Sequence, residues 1–318
     1  MIGSYGTGSP SGNSYLPFPA RYGSTVEASA WARVLSVSYA RFVRSLEQIR
    51  NWPVRHAAAG VVTRDGARTA GDVERVFPLA SVTKPLVAYA VLVAVEEGAL
   101  ELEQPAGPPG ATVRHLLAHT SGLAFDTTEE LAAPGTRRIY SSAGFEILAA
   151  FVAEQTGFAF PDYLREAVFE PLGMMASVLA GPAGHAGRST AADLVRFAAE
   201  LLNPQLISAQ THAEATSVQF PGLNGVLPGY GSQRPNDWGL GFEIRDGKSP
   251  HWTGAANSAG TYGHFGQSGT FLWVDPEIGV ASIALSDENF GDWAREAWPV
   301  FSDAVIAEST LAPNSVPK

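Results

Sequence analysis

Ser81 and Lys84 stand three residues apart in Leu79-Ala80-Ser81-Val82-Thr83-Lys84-Pro85, at the head of an apolar run from Leu86 to Val95. On a helix that spacing puts both side chains on one face. A serine hydroxyl becomes a useful nucleophile when a base takes its proton. A lysine amine is such a base when burial beside apolar side chains disfavours its charged form. Pro85 fits the first turn of a helix, where its missing N–H costs nothing. Ser81 then sits at the helix N-terminus, where free N–H groups and the dipole favour negative charge. Spacing alone decides little. Ser315 and Lys318 repeat it with no helix to carry them, and a capping serine beside a snorkelling lysine has the same pattern.

Two further stretches supply complementary groups. Arg138-Ile139-Tyr140-Ser141-Ser142 precedes a helical pattern, and a phenol near a lysine ammonium can ionise, act as base and return the proton to a leaving group. Tyr262-Gly263-His264-Phe265-Gly266-Gln267-Ser268-Gly269-Thr270 runs into a strand. Its glycines let a substrate lie close to the backbone, and a strand edge offers an N–H to an oxyanion. His115 and His119 have the i, i+4 spacing of a metal pair, but no Glu follows His115 and no third ligand is evident. Helix-end hydrogen bonding is the simpler use, and no metal or cofactor is expected.

The elements that must position these groups read as follows. Residues 1–23 are expected to be a flexible arm, Gly- and Ser-rich from Met1 to Ser14. Ser24 to Arg50 has helical periodicity and stops at Pro53. Ala57 to Thr63 is a strand, Arg64-Asp65-Gly66 a hairpin turn, and a second strand lies around Asp72 to Phe77. The Ser81 helix ends at Gly98. Helices are expected over Val113–Leu117, Ser142–Gly157, Pro161–Phe169 and Ala191–Leu202, the last capped by Thr190 with Asp193 in its first turn. Residues 203–240 are loop-rich. Phe271–Asp275 and Val280–Ser286 flank a Pro-Glu-Ile-Gly turn. A terminal helix, Asp292 to Ala307, is interrupted or restarted at Pro299. Strands thus lie at both chain ends. The expected assembly is α+β: an antiparallel sheet lobe from 24–85 with 240–318, and a helical lobe from 86–239. Ser81 falls at the seam, where a cleft would be a usual ligand site.

Composition sets bounds. A net charge of −10 argues against a nucleic-acid partner, and the absence of cysteine excludes a thiol nucleophile, thiolate metal sites and disulfides. The longest apolar run is too short to cross a bilayer and the N-terminus lacks a signal-peptide pattern, so a cytoplasmic protein with no membrane partner is expected. Asp246-Gly247-Lys248-Ser249 has the end of a P-loop but Phe242 where the earlier glycine belongs, and no Gly-x-Ser-x-Gly elbow exists.

Taken in order, these motifs make the chain resemble the serine β-lactamase and penicillin-binding protein superfamily, in its class C β-lactamase-like branch with family VIII esterases and D-aminopeptidases. Ser81-Val82-Thr83-Lys84 stands for Ser-x-x-Lys, Tyr140-Ser141-Ser142 for Tyr-x-Asn, and His264-Phe265-Gly266 for Lys-Thr-Gly. Leu116 to Leu123, Glu170 to Met174 and Gly187 to Leu194 add supporting signatures, and the likeness covers about residues 55–305. It implies a β-lactamase/transpeptidase-like fold. It also implies acyl-enzyme hydrolysis: Ser81 as nucleophile, Lys84 and Tyr140 sharing the base role, and the N–H groups of Ser81 and Gln267 holding the oxyanion. Ser142, His264, Phe265 and Gly266 would line the substrate.

Two departures shape the expected substrate, a small-molecule ester or amide. Ser142 loses the amide that an Asn would offer. His264 and Phe265 replace the lysine and threonine that help bind the carboxylate of penicillins and peptidoglycan stems. A largely neutral imidazole and an apolar ring suit a carboxylesterase on short esters. The alternatives are a β-lactamase or D-amino-acid amidase of the same superfamily, and a binding protein that kept the fold without turnover. Arg137 or Arg234 would be able to supply the missing positive charge.

Overall fold

The computed structural model describes residues 43–310. Most of the helix expected over 24–50, and the arm before it, lie outside them; the described part is α1 (Val43–Glu47) and a 3₁₀ turn, Gln48–Asn51. Then come β1 (Ala57–Thr63), β2 (Gly66–Gly71), β3 (Phe77–Pro78), the 3₁₀ turn Ala80–Val82 and α2 (Thr83–Glu96). α3 (Val113–Leu117), α4 (Ala143–Thr156) and α5 (Phe160–Leu164) follow, the last continuing into a wider turn, Arg165–Phe169. β4 (Val178–Leu179), β5 (Gly187–Ser189) and α6 (Ala191–Leu202) lead to α7 (Ala209–Ala215) and the β6 (Gly225–Leu227) and β7 (Gly231–Gln233) pair. β8 (Glu243–Ile244), β9 (Tyr262–Gly266), β10 (Thr270–Asp275), β11 (Val280–Ser286) and α8 (Asp292–Thr310) complete the chain.

The main sheet has the order β2-β1-β11-β10-β9-β8, antiparallel throughout. β1 and β11, from opposite ends of the chain, pair from Ala57↔Ser286 to Thr63↔Val280. Period-2 alternation sends Ala58 and Val62 to one apolar cluster and Ala59 and Val61 to the other. One face of the sheet carries α6, which approaches so closely that a Cβ at Gly60 would lie 2.5 Å from Val195 Cγ2. The other face carries α8, through Trp298, Phe301 and Val305. α2 is buried nearly all round, from Thr83 to Ala94. It is the axis about which the helical part packs.

Several elements depart from the sequence expectation. The second strand is Gly66–Gly71, not the segment around 72–77: Gly71 turns left-handed (φ 82°), and Asp72 N–H donates to Ala57 O at 2.9 Å, ending the ladder. The loop-rich stretch 203–240 holds α7, capped by Ser208 Oγ, which accepts from Thr211 N, and the β6–β7 pair. Pro299 neither interrupts nor restarts α8. Interior proline costs about 3 kcal/mol, while each large apolar side chain buried gives roughly 1.5–3 kcal/mol. Trp298, Phe301, Val305 and Ile306 therefore hold the helix through it.

Candidate functional site

Ser81 lies in the 3₁₀ turn that feeds α2, and three strand segments fix that turn. Leu79 N–H donates to Gly187 O at 2.9 Å, joining it to β5. Thr270 Oγ1 donates to Leu79 O at 2.8 Å and Ser268 Oγ to Pro78 O at 2.7 Å, joining it to the β9–β10 hairpin. Gly266 makes this approach possible: a Cβ there would lie 2.3 Å from Leu79 O. Ala80, just before Ser81, is held left-handed at φ 44°. Such a conformation costs a non-glycine residue about 1–3 kcal/mol and persists only where the surroundings impose it. Ser81 itself is half-buried.

Lys84, one turn on, is fully buried. Burial lowers its pKa from 10.5 to about 7, against an opposing pull from Glu146. Nζ donates to Ser142 Oγ at 3.0 Å and to Gly184 O at 2.7 Å. A neutral amine has two N–H donors and one lone pair, so these bonds use both donors and leave the lone pair free. Glu146 holds the loop that supplies the carbonyl, accepting from Ala183 N at 2.9 Å and Gly184 N at 2.7 Å. The rings of Tyr140 and Phe145 lie 4.6 and 5.5 Å from Nζ. They ease whatever charge the amine takes up.

Tyr140 stands over this pair. Burial pushes its phenol well above the ordinary value, while the Ser81 hydroxyl it faces pulls the other way. The phenol therefore keeps its proton, and the basic character of the pair rests with Lys84. Tyr140 Oη lies 3.3 Å from His264 Nε2, and His264 Nδ1 lies 2.7 Å from Phe265 O. A carbonyl only accepts, which assigns the His264 proton to Nδ1 and leaves Nε2 as acceptor for the phenol. Burial first, then Lys84, lower the His264 pKa to about 3, so the imidazole is neutral. His119 packs beneath Tyr140 at 4.6 Å between rings, and its Nδ1 accepts from Ser141 N at 3.1 Å. His115 closes the capping box of α3 with Thr112. The two histidines thus have separate structural uses, and among the described residues no group of three or more His, Asp or Glu is placed to hold a metal.

The structure brings Ser81, Lys84, Tyr140, Ser142, His264 and Gly266 together. Phe265 is a correction. It faces the opposite side of β9 from His264, packed against Phe290 at 4.8 Å and against Trp252 and Trp298, and is 6% exposed. Successive strand residues point to opposite faces, so Phe265 offers its ring to the core and none of it to a substrate. Gln267 starts the β9–β10 turn; its side chain donates to Phe290 O at 3.1 Å. Its backbone N–H has no partner among the described residues. Glu146 and Gly184 escaped the sequence reading because no local pattern announces a carbonyl 100 residues from the lysine it accepts from.

Comparisons with known proteins agree with this fold. A solved β-lactamase from Mycobacterium bovis is 61% identical, with a TM-score of 0.83, over 84% of this chain and 100% of that one. Penicillin-binding protein 4 of Amycolatopsis lactamdurans is 27% identical over 73% of this chain and 77% of its own length. Esterase EstB of Burkholderia gladioli is 26% identical over 79% and 86%. The Beta-lactamase family model matches residues 48–304. With Ser81 in the turn that leads into the helix of the buried Lys84, Tyr140 beside both, and a main sheet built from both chain ends, the chain belongs to the Beta-lactamase family of serine hydrolases.

Proposed function

We propose that the chain is a carboxylesterase for short-chain esters, acting through an acyl-enzyme on Ser81. The observation that carries this reading is the fully buried Lys84, with a pKa near 7 and both amine donors engaged. Its lone pair takes the Ser81 proton as Oγ bonds to the ester carbonyl carbon. The N–H groups of Ser81 and Gln267 hold the oxyanion. Lys84 then returns the proton by way of the Tyr140 phenol to the alkoxide, the alcohol leaves, and the acyl group remains on Oγ. Water attacks that ester with the same base, freeing the acid and Ser81. Esters are favoured over carboxylate-bearing β-lactams because position 264 offers a neutral imidazole. A fixed charge-assisted hydrogen bond there would contribute about 1.5–3 kcal/mol.

The test has two parts. Intact-mass and peptide spectrometry after a fluorophosphonate should place one adduct on Ser81; labelling of another serine, or of none in folded protein, defeats the reading. kcat/KM for p-nitrophenyl butyrate should exceed that for nitrocefin, and His264→Lys should move the ratio toward nitrocefin by roughly ten- to a hundredfold. A wild-type preference for nitrocefin, or an unmoved ratio, removes the substrate assignment while leaving the acyl-enzyme in place.

Glu146 yields a prediction of sign. Its charge opposes the fall in the Lys84 pKa. Glu146→Gln removes that charge, so the amine stays neutral to lower pH, and the acidic limb of kcat/KM against pH should move down. A limb that moves up, or stays, would mean Glu146 acts only through the loop it holds.

A further inference from the structure

A cavity of about 770 Å³ opens beside Tyr140, walled by segments 125–140 and 222–234. The chain has 31 acidic residues against 21 basic ones, yet three arginines and no acidic side chain line this cavity. Arg138 is already committed: its buried guanidinium donates to the carbonyls of Asn236, Gln219, Phe220 and Ala118. Arg137 and Arg234 are exposed, and neither forms an ion pair among the described residues. Phe125, Leu131 and Val226, each more than half exposed, add apolar surface to the same walls. His264 is not part of them. An anion held by these arginines therefore sits elsewhere than one that a lysine at 264 would hold.

Resting on the esterase reading, we infer that this cavity selects esters whose alcohol part is an apolar or aromatic group bearing an anion, carboxylate or phosphate, bound by Arg137 and Arg234. The alcohol side follows from Tyr140. Its phenol faces Ser81, and Tyr140 is also one of the residues that line the cavity. The oxygen it protonates is the leaving oxygen, so whatever hangs from that oxygen enters the cavity. Unpaired guanidinium forks match carboxylate and phosphate geometry, and the apolar walls receive the ring or chain between anion and ester.

The experiment compares 3-acetoxybenzoate and 3-acetoxyphenyl phosphate with neutral methyl 3-acetoxybenzoate, in wild type and in Arg137→Gln/Arg234→Gln. The ratio of kcat/KM, anionic to neutral, should fall at least about tenfold in the double variant, chiefly through KM. Arg137→Lys/Arg234→Lys should retain part of the preference, and added salt should shrink it in wild type. The anion with the larger drop is the one the site was built for. Equal ratios in wild type and double variant overturn the inference. So does an arginine-dependent preference confined to an anion on the acyl side, read with mono-p-nitrophenyl glutarate against p-nitrophenyl valerate. If Ser81→Ala hydrolyses the neutral ester as fast as wild type, the esterase reading falls first and takes this one with it.

Discussion

Ser81→Ala lowers kcat/KM for short p-nitrophenyl esters by about 10³ or more, close to 4 kcal/mol of transition-state stabilisation. The size follows from what remains. Without Oγ no acyl-enzyme forms, and the backbone N–H groups can polarise a carbonyl only for attack by unpositioned water. Folding should be untouched, because Ser81 is half-buried and its turn is held by bonds from Leu79, Thr270 and Ser268. The measurement is steady-state hydrolysis alongside the melting curve of each protein. Rates equal to wild type in a folded variant would mean that a binding protein, not a hydrolase, occupies this fold.

Lys84→Met should cost a comparable factor, on the order of 10³, through loss of the general base. Methionine fills a similar volume without an amine, so the helix keeps its packing. Wild type supplies the matching pH signature. Lys84 has a folded pKa of about 7, and only its neutral form accepts a proton. Thus kcat/KM should level off above pH 7 and fall roughly tenfold per unit below it. The limb reports the free enzyme. A Lys84→Met variant that keeps a tenth of the activity, or a wild-type limb near pH 4, would place the base elsewhere.

How much of this was legible in the chain depends on the range of each contact. Ser81 lies in the 3₁₀ turn that runs into the helix carrying Lys84, so a spacing of three residues, about one turn, already relates the two side chains. The main sheet was legible because β1, β10 and β11 are apolar runs bounded by turn residues. The stretches of Tyr140 and His264 stood out by residue type and order, but nothing in residues 138–142 says that a strand over 120 positions later lies 3.3 Å away. Phe265 was misplaced although the remedy was local: with His264 facing Tyr140, alternation along β9 already turns its neighbour into the core. Lys84's second acceptor, the anchoring Glu146 and the cavity that gathers Arg137 with Arg234 are products of packing between distant segments. No window of sequence contains them.

The pairing of β1 with β11 has a consequence for how the molecule comes to exist. During synthesis β1 and β2 can form their hairpin at once, but the inner edge of β1 waits for a partner over 200 residues later. Until then it presents unpaired N–H and C=O groups, the kind of edge that recruits other chains. The strands that brace the Ser81 turn, β9 and β10, emerge in that same late interval. Loop closure on this scale makes folding slow. The Ser81 turn therefore takes its final shape only when nearly all of the polypeptide has been made, so a nascent or truncated chain carries the serine and the lysine without the site around them.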